Sequence, residues 1–560
     1  MHLTERFFNQ SETVPQQTCF ASRSPEGWQK LTWRESSQLV RSAMAGLRAA
    51  GVKPGDRVVL LCENRPEWAI FDLAIMGVGA LVVPAYTTHS RADLSHIYDL
   101  VTPSAIIASN KALTERALEG AEDYRGIEHV WSLQADAFDS ADVKPWSELL
   151  EAEPDDSAVE PGTPDDTCCL IFTSGTSGLP KAAMLTHRSI GANLDAAVRL
   201  LSELGVGYDD RFLSFLPMAH AYEHMAGLHL PIALGSELWF CESTDKLQQY
   251  LQEAQPSMAT AVPRLYDLLH ARITAQVKNA PPTKQKLFNA AVTLGRKRLA
   301  GERLSIFESL FDKLLDRLVR KKVKERFGGR IRYFISGGAA LNLEVGHFFT
   351  SLGLGIIQGY GQTEASPLIS VNHPNRVKLH TVGEPMDNVE ARLAEDGELL
   401  VRGDCVMKGY WEDEKSTQGT IIDGWLHTGD LAVIDEDGYI EIVGRKKDLI
   451  VTSGGDNVAP AKIEAALCAH PEIEQAVVFG DGRPWLGAVI IPSPDEGADE
   501  SQIEACVRQV NQQLNNYERV RKFVIQTEVC SIENGLLTPT QKVKRDKVLA
   551  INHEQISALY

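Results

Sequence analysis

The run CCLIFTSGTSGLPKAAMLTHRS, Cys168–Ser189, joins an apolar stretch to a loop of Thr, Ser and Gly that closes on Pro180 and Lys181. Small residues and hydroxyls let main-chain amides come close to a ligand, and one fixed cation answers concentrated negative charge. The segment therefore reads as a strand feeding a phosphate cradle. A Walker A loop ends in Gly-Lys followed by Ser or Thr, whereas Lys181 lies between Pro180 and Ala182. Proline has no amide to offer a phosphate and alanine no oxygen for a metal, so an ordinary P-loop NTPase is the weaker phosphate reading. A plain Ser/Gly turn between strands is the bland alternative, and the length of the run disfavours it.

Outward from this loop, the upstream text alternates helix and strand. TWRESSQLVRSAMAGLRAAGV is an amphipathic helix, DRVVLLCEN a short strand, and the rhythm repeats through WAIFDLAIMGVGALVVPAY and SAIIAS. Interleaved elements of this kind predict an α/β fold of parallel sheets, with ligands at the carboxyl ends of the strands. The acidic, Pro-rich EAEPDDSAVEPGTPDD, Glu151–Asp166, reads as a surface connection, after which CCLIF is expected to begin a new sheet. Downstream, RIRYFISGGAAL is another strand ending in glycines. From about Thr381 short β-like pieces with turns, GELLVRGD and GYIEIVGRKKDLIV, predict a small antiparallel part. Beyond about Lys447 a helix, a strand and a second helix suffice for a separate domain.

At 560 residues the chain exceeds one core. With 75 acidic against 56 basic residues, its formal net charge of -19 repels nucleic acid and anionic lipid on average, so any anionic ligand needs its own pocket. The nine cysteines include no Cys-x-x-Cys pair, and MHLTERFFNQSE carries charge where a secretory leader would be apolar. Reduced thiols in a cytoplasmic protein are the expectation, with any membrane contact peripheral.

Four co-ordered segments carry a resemblance. TSGTSGLPKA resembles the phosphate loop of the adenylate-forming superfamily (acyl-CoA synthetases, carrier-loading adenylation domains and luciferases), apart from Ala182 where the family has Gly. GYGQTEAS, Gly359–Ser366, resembles its aromatic-Gly-x-Thr-Glu pattern. DGWLHTGDLAVIDEDGYIEIVGRKKDLIV, Asp423–Val451, is close to the signature of fatty acyl-CoA synthetases, and LLTPTQKVKR, Leu536–Arg545, to the family's C-terminal lysine motif. The likeness runs over nearly the whole chain. It implies doubly wound sheets with a small β-barrel-like part in an N-terminal domain over 1–446, with sub-lobes near 1–160, 161–380 and 381–446. A small mobile α+β domain over 447–560 would follow.

The chemistry implied is attack of a carboxylate on the α-phosphorus of ATP, which requires neutralising two anions that meet. The resemblance puts Thr173 and Glu364 at a magnesium ion. It puts Ser174, Gly175, Thr176, Ser177, Gly178 and Lys181 around the β and γ phosphates. Gly338 and Ala339 would line the nucleotide pocket. Tyr360 would stack on adenine between Gly359 and Gly361, with Gln362 and Thr363 following. Asp430 would accept the ribose hydroxyls with help from Arg445. Lys542, preceded by Thr540 and Gln541 instead of the commoner Ser-Gly, would be the adenylation lysine. His220 stands where relatives carry a His or aromatic beside the acyl carboxylate, a satisfied core histidine being the alternative. His224 and His229 raise the idea of a metal cluster, set aside because no carboxylate or Cys completes it.

Transfer of the acyl group to the thiol of CoA needs other groups at the same carbonyl. The resemblance implies rotation of the small domain about Lys447, which brings Gly454 and Gly455 to the CoA side. Asp456 stands where many relatives are basic.

Residues 303–326 resemble the insertion of long-chain acyl-CoA synthetases. Phe307, Leu310, Phe311, Leu314, Leu318 and Val319 recur at helical spacing beside a run of Arg and Lys. Such a helix either packs on its own domain or lies on an anionic bilayer. Pro217–Gly227 and Ala261–Tyr266 are expected to line the acyl site. The implied activity is a long- or medium-chain fatty acid:CoA ligase using ATP and magnesium. An acyl-AMP ligase loading a carrier protein is the alternative.

Overall fold

The computed structural model describes residues 1–560 except 155–158, 160–161, 174–178, 495–496 and 539–541. The strand Thr167–Thr173 completes a sheet instead of opening one. It lies parallel to Leu81–Ala85 as the penultimate member of a seven-stranded sheet, with Lys181–Thr186 folding back antiparallel at the edge. Cys168 through Phe172 are all buried. An apolar run without alternation fits a strand covered on both faces. The Thr/Ser/Gly run expected to hold phosphate thus follows the carboxyl end of a parallel strand, where α/β ligands bind.

A nine-stranded sheet forms the second layer. Five of its strands, Arg211–Ser214, Glu237–Phe240, Met258–Ala261, Tyr333–Ser336 and Gly355–Gly361, are parallel neighbours. Its far edge is the hairpin Thr18–Ser24 and Gly27–Thr32, drawn from the start of the chain. Chain order and sheet membership are therefore interleaved. Between the layers runs the helix Pro66–Gly77, in which every residue but Glu67 is buried. Its apolar surface goes all round, the mark of a core helix. Asp72 is the ionisable exception.

The expected antiparallel part is a five-stranded sheet including Glu398–Gly403, Trp425–Ile434 and Ile440–Arg445. The C-terminal portion has a three-stranded sheet of Ile473–Phe479, Leu486–Pro492 and Val520–Ile525. One face of it is covered by the helices Pro460–Cys468 and Glu500–Asn511, the other by Leu536, Leu537 and Val548. All nine cysteines are free. Among the described residues no helix is long and apolar enough to cross a membrane.

The helix Ile306–Leu315 packs on its own domain through only one side. Ser305 caps it, accepting from the Glu308 amide. Its buried side holds Asp312, fully enclosed, paired with Arg298 and with Arg320 at 2.7 Å. Arg320 also pairs with Asp316 at 2.6 Å and donates to the carbonyls of Ala291 and Ser351. Paired and hydrogen-bonded charge is what makes such burial tolerable. The apolar side consequently faces out: Ile306 is 80% exposed, Phe307 86% and Leu310 62%, while Leu315 and Val319 turn inward.

Candidate active site

A cavity of about 530 Å³ opens where the carboxyl ends of the second sheet meet the antiparallel part and the C-terminal segment. Ser336 to Gly338 reach it from one strand end, and Gly359, Tyr360 and Gly361 from the next. Gly361 is required by close approach. A Cβ there would stand 1.8 Å from the Pro367 carbonyl oxygen, a contact no side chain can make. Gln362, Thr363 and Glu364 continue the wall, and Thr173 and Lys181 face it from the first sheet.

Tyr360 is held by its hydroxyl, which donates to Asp430 Oδ2 at 2.5 Å, while Arg445 Nε donates to Oδ1 at 2.8 Å. Burial and the Asp430 carboxylate push the Tyr360 phenol well above its ordinary value, so it stays a donor. Asp430 itself is only 4% exposed and lies one layer behind the wall, its two carboxylate oxygens already engaged. The expected ribose acceptor therefore acts in this arrangement on the residues that would meet the nucleotide. Thr428 and Gly429 stand in front of it.

Glu364 Oε1 accepts from the Tyr410 hydroxyl at 2.7 Å. Lys181 lies 5.0 Å from the centre of the Tyr410 ring, with its amine donating to Ser416 Oγ at 2.5 Å. Tyr410 thus orders both the expected metal ligand and the expected phosphate cation. Sequence reading missed it, since a lone Tyr after Gly409 signals only a buried aromatic. Also missed was a charged cluster beside Arg445. In it Glu398 accepts from the Gly429 amide at 2.9 Å, from Lys446 at 3.1 Å, and faces His427 Nδ1 at 3.2 Å.

Lys542 reaches the same cavity from the C-terminal portion. The protein around it and the neighbouring Arg445 hold its ammonium below the usual lysine range, with Asp430 acting the other way. His220 is half-buried on the opposite wall, its Nδ1 accepting from the Tyr222 amide at 3.2 Å. Enclosure and the positive charge of Lys542 bring its pKa to about 4, so the imidazole is neutral near pH 7. Arg264 pairs with Glu474 at 2.7 Å across the two portions of the chain.

The apolar end of the cavity is formed by Ala197, Leu200 and Leu201 from the helix His187–Glu203 and by Met225, Ala226 and Leu230. That helix starts where the strand after the phosphate loop stops, with Thr186 and Ser189 forming its capping box. His220 to Tyr222, Met225 and Ala226 of Pro217–Gly227 line this cavity, and Ala261–Tyr266 is not among its lining residues.

Of the sequence-expected residues, Thr173, Lys181, His220, Gly338, Gly359, Tyr360, Gly361, Gln362, Thr363, Glu364, Arg445, Lys447 and Lys542 come together around one cavity. Ser174, Gly175, Thr176, Ser177 and Gly178 lie outside the described residues. Ala339 is exposed and sits off the wall, because the chain turns away at Gly338, whose φ is +84°. Gly454 and Gly455 lie away from the cavity in the turn between Ile450–Val451 and Asn457–Val458.

Two layered sheets with a separate C-terminal sheet thus share one cavity lined by cations, carboxylates and aliphatic side chains. The chain belongs to the AMP-binding enzyme family: that family's description matches residues 7–411, and the AMP-binding enzyme C-terminal domain matches 447–560. It is 35% identical to the long-chain-fatty-acid--CoA ligase FadD15 of Mycobacterium bovis, covering 95% of this chain and 92% of that one. Among solved structures, the adenylation domain of a carboxylate reductase from Mycobacterium chelonae aligns with a TM-score of 0.80 at 22% identity, covering 100% of this chain and 91% of that one. The anthranilate CoA ligase AuaEII in complex with anthranoyl-AMP aligns with a TM-score of 0.77 at 19% identity, covering 98% and 97%.

Proposed function

We propose that the protein is an AMP-forming long-chain fatty acid:CoA ligase. The observation that carries this is a single cavity lined both by the cations Lys181, Arg445 and Lys542 and by the apolar Leu200, Leu201, Met225 and Leu230. An amphiphilic acid would lie with its carboxylate toward the cations and its chain among the aliphatic groups. In the first step a carboxylate oxygen bonds to the α-phosphorus of ATP and the bond to the bridging oxygen breaks, releasing pyrophosphate. Lys542 supplies positive charge where the two anions meet, and neutral His220 lines that point without competing for the carboxylate. Tyr360, fixed by Asp430, presents its ring to the base.

Thr173 and Glu364 offer hydroxyl and carboxylate oxygens to the same cavity, a donor set suited to magnesium, and Tyr410 holds the carboxylate in place. When bound there, magnesium would neutralise triphosphate charge. In the second step the CoA thiol forms a C–S bond to the acyl carbon and AMP leaves. We infer that 447–560 turns as a unit about Lys447, carrying Lys542 away and the Gly454–Gly455 turn inward.

The outward apolar stripe at Ile306, Phe307 and Leu310, flanked by Lys313, Arg317, Lys321 and Lys322, supports peripheral contact with a bilayer, the reservoir of long-chain acids. Cosedimentation with anionic vesicles would fall for Phe307→Ser, while turnover of a water-soluble acid would not. The activity is tested by a coupled assay. Acid-dependent pyrophosphate release followed by CoA consumption supports the ligase. Release with a stalled acyl-AMP supports a carrier-loading enzyme, and release of ADP and phosphate refutes both.

A further inference from the structure

Outside the cavity, a carboxylate and two imidazoles converge in the deepest part of the molecule. His224 Nε2 lies 2.9 Å from Asp72 Oδ1, and His229 Nε2 lies 3.1 Å from Asp72 Oδ2. The three side chains are 0 to 2% exposed. Asp72 is the carboxylate that sequence reading found wanting; it arrives from the buried helix Pro66–Gly77, 152 positions away from His224.

The backbone is bent to make this meeting. Residues five apart on an α-helix stand about 140° apart at 3.6 residues per turn. Glu223–His229 is instead a π-helical turn, whose i→i+5 bonding sets His224 and His229 on one side. Their rings are 4.7 Å apart and nearly perpendicular, so the two Nε2 atoms reach different oxygens of one carboxylate. Asp72 Oδ2 and His229 Nε2, both fully enclosed, lie at ion-pair distance but out of line for a well-formed hydrogen bond, and no other described group satisfies either atom. Two buried polar atoms side by side but poorly aligned for each other are what a shared ligand beside the pair would satisfy better.

We propose that Asp72, His224 and His229 form a structural site for one divalent transition cation of the zinc class. Imidazole nitrogens with a carboxylate select zinc or cobalt over magnesium, which demands oxygen donors. All the donor atoms lie within 4.8 Å of one another. Tetrahedral ligands at about 2.0–2.1 Å from zinc stand about 3.4 Å apart, so the two carboxylate–imidazole contacts of 2.9 and 3.1 Å need to open by only a few tenths of an ångström. Ion uptake displaces the proton held between Asp72 and an imidazole. The ion fastens the core helix Pro66–Gly77 to the turn that begins directly after His220 and Tyr222, and so braces one wall of the cavity from behind.

The test uses the full-length, untagged protein, refolded from denaturant and chelator with Co²⁺, Zn²⁺ or neither. Expected are about one ion per chain by elemental analysis, visible d–d absorption of the Co²⁺ form, and a higher melting temperature with either ion. His224→Gln and His229→Gln would lose the bound ion, and Glu364→Gln, in the substrate cavity, would keep it. Refolded wild-type protein that takes up no stoichiometric ion and melts identically with and without it would overturn the proposal, leaving a buried carboxylate–imidazole cluster. Retention of the ion by both histidine variants would do the same. The wild-type measurement decides even if the variants do not fold.

Discussion

Replacing Lys542 with alanine takes one positive charge from the place where two anions must touch, and the structure sets the scale of the loss. Lys542 sits on the cavity wall beside Arg445, among groups that already lower its proton affinity. At an effective dielectric of about 20, a unit charge about 4 Å away contributes about 4 kcal/mol. Deleting a preorganised donor to a transition state costs about 3 kcal/mol by comparison. Arg445 remains to take part of the load, so the expected loss is two to three decades, at about 1.4 kcal/mol each. The assay is acid-dependent exchange between pyrophosphate and ATP, run beside CoA acylation from preformed acyl-AMP. Exchange should collapse while acylation from acyl-AMP changes less than about tenfold, because the second step has one anion fewer to neutralise. Equal losses in both reactions, or an exchange loss under tenfold, would refute the placement of Lys542 and the rotation inferred about Lys447.

Tyr360→Phe removes the hydroxyl that Asp430 accepts at 2.5 Å. A charge-assisted hydrogen bond contributes about 1.5–3 kcal/mol, so KM for ATP should rise about tenfold or more with a smaller change in kcat, measured by initial rates. Lys542 must be protonated to act, and its pKa is lowered, so its contribution is present at low pH and lost as pH rises through a value below that of free lysine. The alkaline limb of adenylation should fall early in the wild type and move upward in Lys542→Arg, whose guanidinium stays charged. Gly361→Ala places a methyl 1.8 Å from the Pro367 carbonyl and forces the strand end to move. Overpacking of this kind costs about 1–3 kcal/mol, seen as a lower melting temperature together with weakened ATP binding by calorimetry.

Much of the cavity was legible because the groups facing a nucleotide come in short contiguous stretches. Gly359–Glu364 lies at a single strand end, and the residues from His427 to Arg445 sit on two paired strands whose register sets Asp430 opposite Arg445. Backbone approach and local charge are properties of neighbours in the chain, so pattern reveals them. Ala339 is exposed and not part of the cavity lining, and nothing in SGGAAL tells where the wall ends and the turn away from it begins.

The sequence alone determined the class of this protein: alternating strands and helices, glycine-rich strand ends and a fixed order of cations and carboxylates are written locally. Tertiary structure decided what depends on distance. It sent the strand Thr167–Thr173 to close the first sheet and the Thr18–Thr32 hairpin to the edge of the second. It turned the apolar side of Ile306–Leu315 outward, because the buried Arg320 and Asp312 claim the inner side. It set Tyr410 against Glu364 and brought Asp72 to His224 and His229. The physical reason is that burial and charge pairing are satisfied across the fold, between residues 46 positions apart for Tyr410 and Glu364 and 152 for Asp72 and His224, and no local period records which partner is chosen.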